Sequence, residues 1–157
     1  DEDYYKRIEA IQFTMTHDDG KKTEDINEAD IILLGVSRTS KTPTSIYLAN
    51  RGYKTLNIPL VLDQQIPEIL KKNFSKFCVI GLFADSERLS EIRRTRASVN
   101  QSLDLKTYTD VDAIKIEVKK SKKMFKQYSW PTIDVTRRSV EETAASIIKI
   151  FEIKRNK

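Results

Sequence analysis

The stretch GVSRTSKTPTS, residues 35–45, contains the residue types and spacing that could bind a phosphate group. It approaches the pattern G-x-x-x-x-G-K-[ST], in which backbone N–H groups cradle an anion, a lysine reaches the terminal phosphate oxygens and a hydroxyl binds Mg²⁺. Lys41 and Thr42 fill the last two positions, but Ser40 stands where the second glycine belongs. A Cβ at that point limits how closely the backbone can approach a phosphate. The loop pattern alone is compatible with a phosphate site and with an ordinary strand-to-helix connection.

Acidic residues elsewhere in the chain could complete such a site. Asp18 and Asp19 lie in HDDG, at the end of the first predicted helix, where a carboxylate could act as a general base or hold a metal-bound water. An Asx turn is the alternative for both residues, and we expect His17 at the surface end of that helix. Asp85 follows the apolar run FCVIGLF, where phosphate-loop enzymes place a carboxylate for Mg²⁺. Asp85 could equally cap the helix that follows.

Arginines cluster in the next predicted helix, within SERLSEIRRTR. Arg93 and Arg96 are three residues apart and therefore share a helical face. The guanidinium group matches phosphate oxygens in shape and charge, so these two residues are candidates for a second phosphate site or a lid. A solvated charged face is the alternative for such a run.

Four short apolar runs predict the strands that would position these residues, namely 31–35, 53–58, 77–82 and 131–135. They lack in/out alternation, which is typical of a parallel sheet with helices on both faces. We therefore predict an α/β fold with a mostly parallel sheet of four to five strands flanked by helices, the three-layer sandwich of P-loop kinases. With only 4 Gly and 4 Pro an internal linker is not indicated, and residues 1–157 should form one domain.

Helix start signals support this order of elements. Ser139 and Glu142 form a capping box, and Thr109 is predicted to cap the helix that follows it. One face of that second helix carries a stripe of lysines, made up of Lys115, Lys119, Lys122 and Lys126. The stripe is assigned either to solvent or to the docking of an acidic protein surface.

Composition narrows the classes of protein and partner. The 157 residues carry a formal net charge of +5, which raises nucleic acid, anionic membranes and acidic molecules as partners. No stretch reaches the roughly 18 to 20 apolar residues of a membrane span, and the start does not resemble a signal peptide. The single cysteine, Cys78, excludes a disulfide framework and a cysteine-based metal site. We expect a soluble, cytoplasmic protein without a membrane partner.

Several long motifs together resemble one known family. They are, in chain order, RIEAI, HDDG, GVSRTSKTP with SIYLANRGYKTLNIPLV, GLFADSERLSEIRRTR and WPTIDVTRRSVEETA. These motifs resemble the pyruvate, phosphate dikinase regulatory proteins and the related phosphoenolpyruvate synthetase regulatory proteins, over about residues 5–151. In this family a Ser-Lys pair in the loop is an accepted variant of Gly-Lys, so Ser40 is no longer an objection.

The resemblance implies a bifunctional enzyme that acts on another protein. Family members phosphorylate a threonine of the dikinase with ADP, and they remove the phosphoryl group with inorganic phosphate, which releases pyrophosphate. They also carry an additional N-terminal domain, so this chain is expected to be the C-terminal, nucleotide-binding part of a longer protein. Whether the target is the dikinase or the synthetase, and whether the protein is a homodimer, stays open.

The resemblance also assigns roles to individual residues. The nucleotide-binding motif of the family corresponds to Gly35, Val36, Ser37, Arg38, Thr39, Ser40, Lys41 and Thr42. Because phosphoryl transfer depends on positioning and charge stabilisation, Lys41 and the loop amides should hold the terminal phosphate, with Arg38 as a second cation. Thr42 and Asp85 are the expected Mg²⁺ ligands, and Asp18 or Asp19 completes the catalytic set.

Two other functions are compatible with the residues. One is a P-loop kinase for a small molecule, which would need a closed pocket for its acceptor. The other is a basic, non-catalytic module that binds nucleic acid. The lysine stripe lacks the interleaved aromatic residues that stack on bases, which argues against that module.

Overall fold

A computed structural model describes residues 1–18, 24–61, 66–72, 75–97 and 105–156, apart from the side chains of residues 96, 97 and 105. Its strands are β1 (Ile31–Gly35), β2 (Thr55–Pro59), β3 (Val79–Phe83) and β4 (Thr132–Asp134). Its α-helices are α1 (Glu2–Thr16), α2 (Lys41–Asn50), α3 (Glu68–Lys72), α4 (Ser86–Ala97), α5 (Leu105–Thr109), α6 (Val111–Gln127) and α7 (Val140–Arg155). A short 3₁₀ helix spans Ile26–Glu28. None of these helices combines the length and the apolar character needed to cross a membrane.

The four strands form one parallel sheet in the order β2-β1-β3-β4. The register pairs Gly35 with Pro59 and Leu34 with Gly81, so the carboxyl ends of the strands meet at one edge. The predicted α/β class and parallel sheet are confirmed. The strand β1 is central, and its carboxyl end is where the candidate phosphate loop begins.

Both faces of β1, β2 and β3 are buried, which explains why these strands read as continuous apolar runs. The edge strand β4 differs from the prediction, because Thr132 and Asp134 are exposed on either side of the buried Ile133. On one face Ile31 and Leu33 pack with residues of α2, α4 and α7, whereas Ile32 and Leu34 belong to a separate cluster on the other face. Successive side chains of a strand point to opposite faces, so helices on both sides produce three layers. The predicted three-layer sandwich is therefore confirmed.

The predicted helix starts are confirmed in two cases and wrong in one. At α7 the Ser139 hydroxyl accepts from Glu142 N at 3.1 Å, and the Glu142 carboxylate accepts from Ser139 N at 3.2 Å. The Asp85 carboxylate accepts from Arg88 N at 3.3 Å, so Asp85 caps α4. At α6 the cap is Asp110, whose carboxylate accepts from Ala113 N at 3.1 Å. Thr109 is the last residue of α5, and a residue inside a helix cannot cap the next one.

The sheet packs on α6 so closely that Gly81 tolerates no side chain. A Cβ at Gly81 would lie 2.4 Å from the ring of Phe125, which is fully buried. Gly81→Ala should therefore lower the free energy of unfolding by about 1–3 kcal/mol, measured by urea denaturation. In the double variant Gly81→Ala/Phe125→Leu, leucine leaves more room for the new Cβ than phenylalanine does. The loss of stability in the double variant should therefore be smaller than the sum of the losses in the two single variants. Additive costs would contradict this contact as the cause.

Candidate phosphate site

The loop of residues 36–40 joins the carboxyl end of β1 to the start of α2. Its backbone is unusual at two positions, because Arg38 has φ 70° and Ser40 has φ 63° with ψ 25°. The left-handed region is unfavourable for residues other than glycine by roughly 1–2 kcal/mol. Ser40 thus adopts the conformation that the second glycine of the loop pattern would adopt freely, and its side chain makes no capping hydrogen bond.

Gly35 is required by the closure of the loop over the end of β1. A Cβ at this position would lie 2.5 Å from the Thr39 hydroxyl and 2.9 Å from the Leu82 carbonyl oxygen. Thr39 is fully buried, and its hydroxyl donates to Val36 O at 2.8 Å. The loop therefore folds back on the strand end, and only glycine leaves it the necessary room.

The backbone amides of the loop are available to a ligand. Within the described ranges, the N–H groups from Ser37 to Thr42 donate to no protein acceptor. The first hydrogen bond of α2 runs from Thr44 N to Ser40 O at 3.1 Å, and Pro43 has no N–H to satisfy. These amides and the positive end of the α2 dipole form an arrangement that favours an anion.

Lys41 is buried inside this loop. Its Nζ donates to Val36 O at 2.8 Å and to the Thr39 hydroxyl at 3.2 Å, and the residue is only 9% exposed. Burial, with smaller contributions from Arg38 and Arg93, lowers the pKa of Lys41 to about 7, against an opposing effect of Asp18. A bound anion would favour the charged ammonium and so would raise this pKa.

Asp18 lies at the mouth of the loop, beside the residue predicted to bind Mg²⁺. The Thr42 hydroxyl reaches both carboxylate oxygens, at 3.1 and 3.2 Å. The Asn57 amide, from β2, donates to the same carboxylate and to the Ser45 hydroxyl. Side chains from α2 and β2 thus hold Asp18 against the start of α2, and Asp19 lies outside the described residues.

The position of Asp18 depends on His17, which sequence reasoning placed wrongly at the surface. His17 is 4% exposed, and its ring stacks on Phe13 with the centroids 4.1 Å apart. Nδ1 lies 2.7 Å from Phe13 O, and Nε2 lies 3.0 Å from the Asp25 carboxylate. The carbonyl of His17 also accepts from Asn57 N at 3.2 Å. These contacts bind the end of α1 to β2 and so direct Asp18 towards Thr42.

Arg93 lies behind the loop, where it bonds to protein acceptors. This fully buried side chain donates to Ser37 O and Tyr108 O, each at 3.2 Å, and to the Glu117 carboxylate at 2.8 Å. The Tyr108 and Ser37 hydroxyls are also bonded, at 2.6 Å. Arg93 therefore connects the loop to α5 and α6. Its contact with phosphate stays a prediction, and the side chain of Arg96 lies outside the described part.

Asp85, the predicted Mg²⁺ ligand, belongs to a different group of residues. Its backbone N–H donates to the Thr136 hydroxyl at 2.8 Å, and that hydroxyl donates to Asp134. No contact in the described chain joins Asp85 to the loop, and no cluster of three or more metal-ligating side chains appears there. Thr42 and Asp18 offer the oxygen ligands that Mg²⁺ prefers, so this pair suits a metal better than Thr42 with Asp85.

An open cleft of about 210 Å³ lies in front of the loop. It is lined by Asp18, Ser37, Arg38, Ser40, Lys41, Thr42, Pro43 and Pro59. Pockets for drug-sized ligands measure roughly 300–1,000 Å³, so this cleft suits a phosphate or diphosphate group better than a whole nucleotide.

Comparison with known proteins identifies the family. A family model described as kinase/pyrophosphorylase matches residues 1–148. The chain belongs to this family. Over 155 residues it is 63% identical to a putative pyruvate, phosphate dikinase regulatory protein of Pelagibacter ubique (strain HTCC1062), covering 99% of this chain and 57% of that protein. The resemblance expected from the motifs is confirmed.

Other members of the family carry the same name. The putative pyruvate, phosphate dikinase regulatory protein of Rhizobium meliloti (strain 1021) is 53% identical over 151 residues, which cover 96% of this chain and 55% of that protein. The relative from Chelativorans sp. (strain BNC1) is 50% identical over 150 residues, 96% of this chain and 55% of that protein. The chain thus spans about half the length of the curated relatives it matches.

Two residues of the site, Asn57 and Tyr108, are not predicted by the sequence patterns. Asn57 is the only amide side chain in the strand TLNIP, and a carboxamide near the end of a buried strand could have marked it as a candidate. Tyr108 offered no comparable signal, because its partner Ser37 is 71 residues away in the chain.

The left-handed conformation of Ser40 leads to a stability prediction. Ser40→Gly should raise the free energy of unfolding by about 0.5–1 kcal/mol, because glycine adopts this conformation without a steric cost. Ser40→Ala should differ from wild type by less than about 0.5 kcal/mol, since the hydroxyl makes no capping bond. Urea unfolding of the three proteins checks both expectations, and equal stability of the two variants would contradict them.

Proposed function

We propose that this chain is the nucleotide-binding part of a longer, cytoplasmic regulatory enzyme that phosphorylates a threonine of pyruvate, phosphate dikinase with ADP and reverses the reaction with inorganic phosphate. The observation that carries the proposal is the buried Lys41 behind a loop of free amides, with Asp18 held on Thr42 at its mouth. The family description names both a kinase and a pyrophosphorylase, and the relatives are named as regulatory proteins of the dikinase.

In the forward direction, the threonine oxygen of the target attacks the β-phosphorus of ADP. The bond from that phosphorus to the bridging oxygen breaks, AMP leaves, and the hydroxyl proton passes to a base. The loop amides and Lys41 would hold the β-phosphate oxygens, where negative charge must be balanced in the transition state. Arg38, which lines the cleft, is the second cation for that charge.

In the reverse direction, an oxygen of inorganic phosphate attacks the phosphorus of the phosphothreonine. The bond from phosphorus to the threonine oxygen breaks, the threonine regains a proton, and pyrophosphate forms. A cleft sized for one or two phosphate groups suits this product. One anion site therefore serves both directions, because each has a diphosphate on one side of the reaction.

Asp18 is the residue best placed to manage the proton. It lies beside the cleft and within hydrogen-bond distance of Thr42, so an incoming hydroxyl at the mouth of the loop would meet its carboxylate. Mg²⁺, when bound, would neutralise phosphate charge next to Thr42 and Asp18. We keep Asp85 as a cap of α4, since its contacts lie with Thr136 and Arg88.

A kinase assay tests the proposal. The full-length protein is incubated with the dikinase and β-³²P-labelled ADP, and phosphothreonine is counted. Lys41→Met should lower kcat by at least about 10²-fold through lost charge stabilisation, and Asp18→Asn by about 10²–10⁴-fold through the lost base. Asp112→Asn, an exposed carboxylate on α6, is the matched control and should keep the wild-type rate.

Two results of this assay would contradict the proposal. If the wild-type protein showed no ADP-dependent labelling, the proposed function would be wrong. If Asp85→Asn lost as much activity as Asp18→Asn, Asp85 would also be required for the reaction, as a metal ligand or a base. The expected effect of Asp85→Asn is confined to the cap of α4, at a cost of less than about 1 kcal/mol in stability.

The lowered pKa of Lys41 predicts that anion binding takes up a proton. With a pKa of about 7, Lys41 is mostly neutral at pH 8.5, and a bound anion raises its pKa and returns the charge. Sulfate, which does not itself titrate, should bind with uptake of up to about one proton, measured by calorimetry in buffers of different protonation enthalpy. Lys41→Arg stays charged and should show none. Equal uptake by both proteins would contradict the account.

A further inference from the structure

The lysine face of α6 borders an open edge of the sheet. It consists of Lys115, Lys119, Lys122, Lys123 and Lys126. Two adjoining clefts, of about 420 and 780 Å³, run between these lysines and β4, and Lys119 and Lys122 line both. The clefts together form one groove, which we call the β4 groove, from Trp130 and Pro131 to Asp134.

The positive charge of this face is not neutralised by ion pairs among the described residues. In the described part of the chain, none of the five lysines is paired with a carboxylate. Lys122 instead lies over the ring of Phe83, with Nζ 4.7 Å from the centroid. Glu117, on the same helix, is bonded to Arg93. An anionic partner would therefore meet several lysines that form no ion pair with the described carboxylates.

The floor of the β4 groove is an edge strand with free backbone groups. Pro131 O accepts from Gly81 N at 2.9 Å and Val135 N donates to Phe83 O at 2.8 Å, so these alternate residues face β3. Backbone groups alternate along a strand, and those of Thr132 and Asp134 therefore point outwards. No strand lies on that side in the described sheet. Such an edge can receive an extended peptide as an additional strand.

We infer that the β4 groove binds an extended, acidic segment of the target protein. Its backbone pairs with Thr132 and Asp134, and its carboxylates face the lysines of α6. Asp85 and Asp134 lie at one end of the groove, whereas no carboxylate lines the cleft at the other end, so the acidic residues of the segment lie towards Lys123 and Lys126. The inference rests on the proposed function, because it supplies the docking contact for a protein substrate.

The location of the groove suits delivery of a threonine to the phosphate site. The carboxyl ends of β4 and β1 lie at the same edge of the parallel sheet, with only β3 between them. Two strand spacings amount to about 10 Å, which three or four extended residues span. A segment paired with β4 can thus continue across the edge and place its next residues at the mouth of the loop.

The same surface is less suited to nucleic acid. Binding of single strands without sequence preference uses exposed aromatic faces on which the bases stack. Two aromatic residues line the groove. Trp130 is 5% exposed and stacks on Tyr128 with the centroids 4.8 Å apart, and the ring of Phe83 is covered by Lys122. Free strand-edge groups at Thr132 and Asp134 match a peptide backbone. The observations therefore favour a peptide.

A peptide-binding experiment tests the inference without the kinase reaction. Trp130 is the only tryptophan of the chain, so its fluorescence reports on the β4 groove. The chain is titrated with an alternating Glu-Val decapeptide at low and moderate salt. Lys119→Glu/Lys122→Glu should weaken binding by at least about tenfold. Lys6→Glu/Lys149→Glu makes the same change of net charge at exposed lysines of α1 and α7, and should stay within about twofold.

Two further ligands distinguish binding by strand pairing from binding by electrostatic attraction alone. A decapeptide N-methylated at alternate residues lacks the amide donors needed at the edge, and its binding should be lost. Binding of this peptide as tight as that of the parent would overturn the strand pairing. Poly-uridylate that binds more tightly than the peptide, with the same dependence on Lys119 and Lys122, would overturn the choice of an acidic peptide.

The kinase assay then distinguishes failure of the docking site from failure of the function. With the full-length protein, Lys119→Glu/Lys122→Glu should raise KM for the dikinase at least about fivefold and leave kcat unchanged, because docking precedes the chemical step. An unchanged KM in an active enzyme would overturn the inference alone. If the wild-type protein showed no ADP-dependent labelling, the proposed function would be wrong. Measured peptide binding at the groove would still be valid in that case.

Discussion

The burial of the Lys41 ammonium group is the constraint on which the site depends. Taking a lysine out of water without an ion-paired carboxylate is costly, and here its hydrogen bonds are made to Val36 O and the Thr39 hydroxyl. The lowered pKa of Lys41 expresses that cost. A phosphate in front of the loop would supply the missing negative charge. It would thereby offset the free energy that burying the ammonium group costs.

The neighbouring features follow from this buried lysine. The loop can fold around Nζ only if Gly35 leaves room for Thr39 and if Ser40 takes a left-handed conformation. Arg93 holds Ser37 O from behind, and its charge further lowers the pKa of Lys41. Asp18 opposes that effect from the front. The site is thus built from strained and charged groups whose arrangement favours an anion.

The sequence predicted the elements of this arrangement better than its side-chain contacts. Apolar runs bounded by turn residues were enough for the parallel sheet, and the loop pattern was enough to locate Lys41 and Thr42. The orientation of Asp18 could not be predicted, because it depends on His17 and Asn57, which meet only after α1 packs on β2. The predicted surface position of His17 is wrong, because its ring stacks on Phe13 and is buried there.

A crystal structure of the protein with ADP and Mg²⁺ tests the central claim most directly. We predict the β-phosphate within about 3.2 Å of Lys41 Nζ and of the amides of residues 37–42. Nζ should leave Val36 O and turn towards the phosphate, while Asp18 should stay beside Thr42. ADP bound elsewhere, with Lys41 still donating to Val36 O, would contradict it.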